Sequence, residues 1–187
     1  GDFPIVGKFL ANQPDSMARR VRGRSSKRPI VELWANMGYS ASVQSETIMN
    51  IGAAVASLID ELESKGYSVA LNVYSYIQKP NAVGEVVGPT IEIKSPGEIL
   101  DLNNLVFFIA HPATLRRFDF AFLETVFSAA EMPRGYGQPK GKTRVPGSTD
   151  IIFPEITGND YNTPEEAAKY VIATVKDQRP DLMEDDA

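Results

Sequence analysis

The order of apolar patterns along the chain predicts an α/β fold: a doubly wound, mostly parallel sheet of about five strands with one antiparallel strand and helices on both faces. Three observations lead there. A strand-like run, a long helix with one apolar face and a second strand follow one another between residues 30 and 77, which is a βαβ unit. "TIEIK" at 90–94 returns too soon for a helical crossover, so it should pair antiparallel to the strand before it. "NLVFFIAHP" at 104–112 is the most hydrophobic stretch and reads as a central strand buried on both faces.

Residues 1–29 form an irregular arm with an apolar part, "FPIVGKFL", and a basic part, "MARRVRGRSSKR". The strand "PIVELWANM" is bounded by Pro29 and Gly38. The next helix places Ile48, Ile51, Val55, Leu58, Ile59 and Leu62 at three- and four-residue spacing, which makes one apolar face. Ser45 is its expected N-cap, and Lys65 with Gly66 its C-terminal close. "YSVALNVYSYI" alternates and is β-branched, as a strand should be. "QKPNAVGEVVGP" reads as a loop or ribbon. A helix with a wide aromatic face should run from about Ala113 to Glu131, and residues 132–149 form a Gly/Pro-rich basic loop. "DIIFPEI" is the last strand. The last helix opens with Thr163 as N-cap, Pro164 at its first position and Glu166 closing a capping box. The domain is expected over 30–178, with an acidic tail at 179–187.

The chain has 187 residues, 43% of them hydrophobic and 23% charged, with a net charge of −5. That suits one globular domain and singles out no class of charged partner. There is no cysteine, so disulfides and cysteine–zinc sites are excluded. With one histidine, a His-rich zinc site is excluded too, and a Ser-His-Asp triad has only His111 to use. The longest apolar run, Leu105 to Ala110, is too short to span a bilayer, and the N-terminus shows no signal-peptide pattern. A cytoplasmic protein is expected. No P-loop, no G-x-G-x-x-G after a strand and no G-x-S-x-G motif is present. No metal or cofactor is expected.

"IVELWANMGYSAS", the helix "IGAAVASLIDELESKG" and the strand "YSVALNVYSYI" together resemble the von Willebrand factor A (vWA) fold over residues 30–177. The resemblance implies a vWA- or Rossmann-like sheet. It also locates the family's metal-ion-dependent adhesion site, Asp-x-Ser-x-Ser, at Asn36, Gly38 and Ser40, where one position of three matches. The family's aspartate after its fourth strand falls near His111, and its threonine at Thr114. The implied metal site is degenerate. A second resemblance, carried by "ANQPDSM" and "GAAVASLIDELESKGYSVAL", is to uncharacterised tailed-phage proteins. It implies a virion or host-cytoplasm setting.

Three candidate sites follow, each beside a plainer reading. The loop Asn36–Ser42 ends the first strand just ahead of a helix; Ser40, Ser42 and Ser45 hydroxyls could bind an anion or a partner's carboxylate, or only satisfy turn and cap hydrogen bonds. His111, oriented by Asp119 or Glu155, could act as a general base or could cap the next helix. Arg19, Arg20, Arg22, Arg24, Lys27 and Arg28 in the arm, with Arg134, Lys140, Lys142 and Arg144 in the long loop, could contact phosphates or an acidic protein surface, or stay solvated. Tyr136 alone offers a base-stacking ring there. The carboxylates Asp60, Glu61 and Glu63 belong to the exposed face of the first helix and have no reason to share a pocket.

The leading expectation is a non-enzymatic protein–protein interaction or assembly module, with a protein partner or self-assembly and no membrane. The alternative is a nucleic-acid-associated protein that uses the basic arm and loop. An enzyme centred on His111, Ser40 and Asn36 is the third.

Overall fold

The computed structural model describes residues 3–4, 17–18, 28–40, 42–75, 77–78, 86–111, 114–128, 151–154 and 156–183. Strand β1 (Ile30–Asn36) leads into α1 (Ser45–Ser64), β2 (Ser68–Tyr74) and β3 (Thr90–Lys94). Helix α2 (Leu102–Leu105) continues as a π-helix, Val106–Ala110. A second π-helix, Thr114–Asp119, runs into α3 (Phe120–Val126). Strand β4 (Ile151–Phe153), α4 (Pro164–Gln178) and a 3-10 turn (Pro180–Leu182) complete the described chain.

The mixed sheet has the order β3-β2-β1-β4. β1 pairs in parallel with β2 and β4, and β3 is antiparallel to β2, as its early return predicts. Val31, Leu33 and Ala35 stand opposite Val69, Leu71 and Val73, and Ile151 and Phe153 join the same row of buried side chains. Onto that face pack Ile48, Ile51, Val55, Leu58, Ile59 and Leu62 of α1, with Leu105 and Ile109. Ala167, Val171 and Val175 of α4 complete the core. The other side of β1 carries exposed Ile30 and Glu32 and half-buried Trp34. The expected mixed α/β sheet with one antiparallel strand is present; among the described residues it has four strands rather than about five, and the helices of this core pack on the face of Val31, Leu33 and Ala35.

The strand predicted at 104–112 is not found among the described residues: the chain is helical over 102–110. A continuous apolar run suits a buried strand and a helix alike. Here Asp101 decides: its side chain accepts hydrogen bonds from the amides of Asn103 and Asn104 and caps the helix start. Leu105 and Ile109, four residues apart, turn inward, while Val106 and Phe107 are exposed. The segment is apolar on most sides but buried on one only.

Helix ends follow local chemistry in most places. α1 closes in a Schellman motif, with Tyr67 N donating to Leu62 O (3.1 Å) and Gly66 N to Glu63 O (3.1 Å). Gly66 has φ +91°, a conformation that costs other residues about 1 kcal/mol or more. At the other end, Ser45 is not the cap. Gln44 occupies that position without a side-chain bond, and Ser45 is the first helical residue. α4 carries the predicted capping box between Thr163 and Glu166. Within the expected acidic tail, Pro180–Leu182 forms a 3-10 turn and Leu182 is buried in the core, while residues 184–187 lie outside the described residues.

Two short antiparallel pairings lie outside the sheet. Phe3–Pro4 pairs with Met17–Ala18 inside the arm, and Ile77–Gln78 pairs with Val86–Val87 in the expected ribbon.

Candidate functional site

In open α/β sheets, ligands bind beyond the carboxyl ends of the strands, where connections diverge to opposite sides. Here that position lies between β1 and β4, and side chains close it. Asn36 Oδ1 accepts from Gly38 N at 2.6 Å, which forms a tight turn. A Cβ at Gly38 would stand 2.9 Å from Asn36 Oδ1, so a larger residue there would push the Asn36 amide aside and disturb this bond. Ser40 and Ser42 share a hydroxyl–hydroxyl bond of 3.0 Å. Ser40 N donates to Ile156 O (3.2 Å), and Tyr39 bridges Ile156.

Asn159 completes the closure, and nothing in the sequence marked it. Its Oδ1 accepts from Gln44 N at 2.7 Å, and its Nδ2 donates to Ser42 O at 3.0 Å. It thus satisfies the amide of the residue at the N-cap position of α1 from more than a hundred residues away. Thr47 Oγ1 donates to Asn162 Oδ1 (2.9 Å), and Asn50 Nδ2 to Tyr161 O (3.3 Å). The loop Asn36–Ser42 thus has the turn-and-cap bonding that is the plain alternative to a ligand site.

His111 follows the first π-helix, and Thr114 opens the second. Thr114 is buried, and its hydroxyl donates to Phe107 O. That bond serves the backbone between the two helices. His111 is exposed, and its ring stacks near Phe107 at 6.2 Å between centroids. Asp119, one of its two suggested orienters, accepts instead from Ser75 Oγ through Oδ2 at 2.9 Å; the other, Glu155, lies outside the described residues.

The Ser75–Asp119 bond ties the start of α3 to the end of β2. Asp119 is 3% exposed, and Oδ1 has no hydrogen-bond partner among the described residues. Burial pushes its carboxyl up to about 6, against the lowering effect of the Ser75 bond. The available signal was spacing. Asp119 stands four residues before buried Leu123, an acid on the apolar stripe of its helix.

The same region carries an aromatic surface. Phe107 packs edge-on against Phe108 (5.0 Å between centroids), and Phe108 against Phe118 (6.3 Å). Yet Phe107 is 44% exposed, Phe118 43% and Leu102 60%. Val106 and Val126 are exposed as well. Of the apolar face expected for a helix over 113–131, Leu123 is buried and Phe118 and Val126 are exposed; the helix stops at Val126, with Phe127 as its extended C-cap, and Leu115 lies outside the described side chains.

Of the basic residues, Arg28 is described and exposed. Arg19, Arg20, Arg22, Arg24, Lys27, Arg134, Tyr136, Lys140, Lys142 and Arg144 lie outside the described residues. Among the described residues, no group of three or more His, Asp or Glu side chains could hold a metal ion, and no helix is long and apolar enough to cross a membrane. Asp60 and Glu61 are exposed as expected. Glu63 differs, because its Oε1 holds the buried Lys94 ammonium at 2.6 Å.

A family model described as Domain of unknown function (DUF7192) matches residues 1–179. The chain belongs to that family. No curated protein matches the DUF7192 chain, and no solved structure does. The matched span includes the basic arm.

Proposed function

We propose that this DUF7192 chain is a non-enzymatic protein–protein interaction or assembly module that binds through the surface of Leu102, Val106, Phe107 and Phe118. The observation that carries this is the exposure of two phenylalanines inside a connected aromatic cluster. Contiguous apolar surface of this kind is costly in water, and buried aromatics supply most of the energy at protein interfaces. The π-helices add support, since such turns concentrate at functional positions. The closed loop at Asn36–Ser42 favours this reading over an enzyme centred on Ser40, Asn36 and His111.

The order β3-β2-β1-β4, with β3 alone antiparallel, supports a vWA-like relationship with a degenerate metal loop. The helical stretch at 102–110 speaks against a full copy of that sheet. The phage origin that the second sequence resemblance implies is the setting we infer, with assembly as the role of this surface.

The test is the size of the native protein in its source, with Phe107→Ser and Phe118→Ser variants beside it. We expect it to elute in a complex or as an oligomer, and the variants to elute as free chains with unchanged circular dichroism. A native chain that elutes as a free monomer removes the proposal.

A further inference from the structure

The aromatic surface has two ends, and they differ in charge. At one end, Leu102 borders a cleft of about 330 Å³ beside the last turns of α1. Asp60, Glu63 and Glu98 line that cleft against Arg28, with Tyr67 and Leu100 as apolar wall. Glu63 is held by the buried Lys94 ammonium, and Glu98 accepts from Ser95 N at 3.3 Å. Three carboxylates facing two cations leave one negative charge over. Asp60 is the carboxylate that is exposed and has no bonding partner among the described residues.

From Leu102 the surface runs one helical turn on to Val106, then through Phe107 and Phe108 to Phe118, each ring edge-on to the next. At this far end stands Arg117, the neighbour of Phe118. It too is exposed and has no bonding partner among the described residues. A cleft short of a cation and a cation short of a partner thus flank one apolar stretch. Ile99, 94% exposed on the cleft rim, extends that stretch.

We propose that the occupant of this surface is a second copy of the chain, docked about a two-fold axis so that Arg117 of each copy enters the Asp60 cleft of the other. This rests on the assembly reading above and names its partner. A two-fold interface uses the same patch on both subunits, so the patch must complement itself. A surface with a cation at one end and an acid at the other meets that demand; a surface of one sign does not. Arginine suits the cleft, because its guanidinium pairs with a carboxylate and its stem covers Tyr67 and Leu100. The apolar middle supplies affinity, and the charged ends fix register and reject wrong partners.

Sedimentation of the purified full chain over a dilution series is the test. The wild type should be a reversible dimer that weakens as salt is raised, because the charged contacts lie at the rim. Arg117→Glu should set carboxylate against carboxylate at both contacts, and Asp60→Arg guanidinium against guanidinium. Each alone should weaken the dimer about tenfold or more. An equimolar mixture of the two variants should restore it: in the mixed dimer the introduced charges face each other, and one native Arg117–Asp60 contact remains. Both positions are exposed, and circular dichroism checks the fold. The salt dependence of the wild type reads the same contacts without a substitution. A purified chain that stays monomeric overturns the proposal. So does a dimer indifferent to salt and charge reversal, or a mixture no tighter than its parts. A monomeric purified chain beside a native complex would remove the second copy and leave the interaction surface standing, with a different protein on it.

Discussion

The side-chain amide of Gln178 pairs with both backbone groups of Ile152: its Nε2 donates to Ile152 O at 2.8 Å, and its Oε1 accepts from Ile152 N at 2.9 Å. β4 is an edge strand. Gln178, the last residue of α4, therefore takes the place of a neighbouring strand. Open edges template pairing with other chains, and natural proteins block them. Gln178→Ala should cost about 1–2 kcal/mol in denaturant unfolding, the range for two half-buried hydrogen bonds to backbone. It should also raise light scattering on storage. An unchanged midpoint would mean that water serves Ile152 equally well.

Asp119 sets a pH dependence of definite sign. Its folded carboxyl titrates at about 6, against 3.8 for the free group. The folded state therefore holds the proton more tightly than the unfolded chain. The stabilisation from this group is complete below pH 3.8, declines as pH rises through about 6, and is absent above that. The span corresponds to about 3 kcal/mol. Asp119→Asn should flatten the stability profile between pH 4 and pH 6.5, seen in melting temperatures, and should be more stable than the parent at pH 7.5. A profile as steep as the parent's would place the titration elsewhere.

Lys94 is buried, and its ammonium has two partners: Glu63 Oε1 at 2.6 Å and Val69 O at 2.8 Å. It fastens the end of β3 to the last turns of α1. Removing one partner of a buried pair strands the other charge, which costs more than removing both. Glu63→Gln should therefore destabilise by about 2–3 kcal/mol, and Lys94→Met with Glu63→Gln by less than the single change. A denaturant double-mutant cycle measures this, and additive losses would show that Val69 O alone satisfies the ammonium.

The sequence is legible where a segment's chemistry is local. The apolar face of α1, its glycine close, the Thr163–Glu166 capping box and the antiparallel return of β3 all follow from residues within a few positions of one another. Two features were not legible. The 102–110 segment carries apolar residues on nearly every side, so its period is hidden, and only the Asp101 cap distinguishes helix from strand. The site geometry depends on contacts across the chain: Asn159 on Gln44, and Asp119 on Ser75. Neither pair has a spacing that a sequence can show. The loop's polar residues were visible, but whether they face a ligand or one another is decided by Asn159.

The metal question can now be put to two residues. In a vWA-type site, Asn36 would need to be an aspartate and Thr114 would need a free hydroxyl. Asn36 Oδ1 accepts from Gly38 N, and the Thr114 hydroxyl donates to Phe107 O. A substitution at residue 36 supplies charge but leaves the threonine engaged, and Ser40 stays bonded to Ser42. Dehydrating a divalent cation requires several well-placed oxygens, so one carboxylate is too little. Asn36→Asp should thus keep the turn, since the carboxylate also accepts from Gly38 N. Neither it nor the wild type should gain melting temperature in magnesium, calcium or manganese, because a real site stabilises by mass action. A clear rise for Asn36→Asp alone would show that the remaining ligands are still in place and that the bonds at Thr114 and Ser40 yield to a metal.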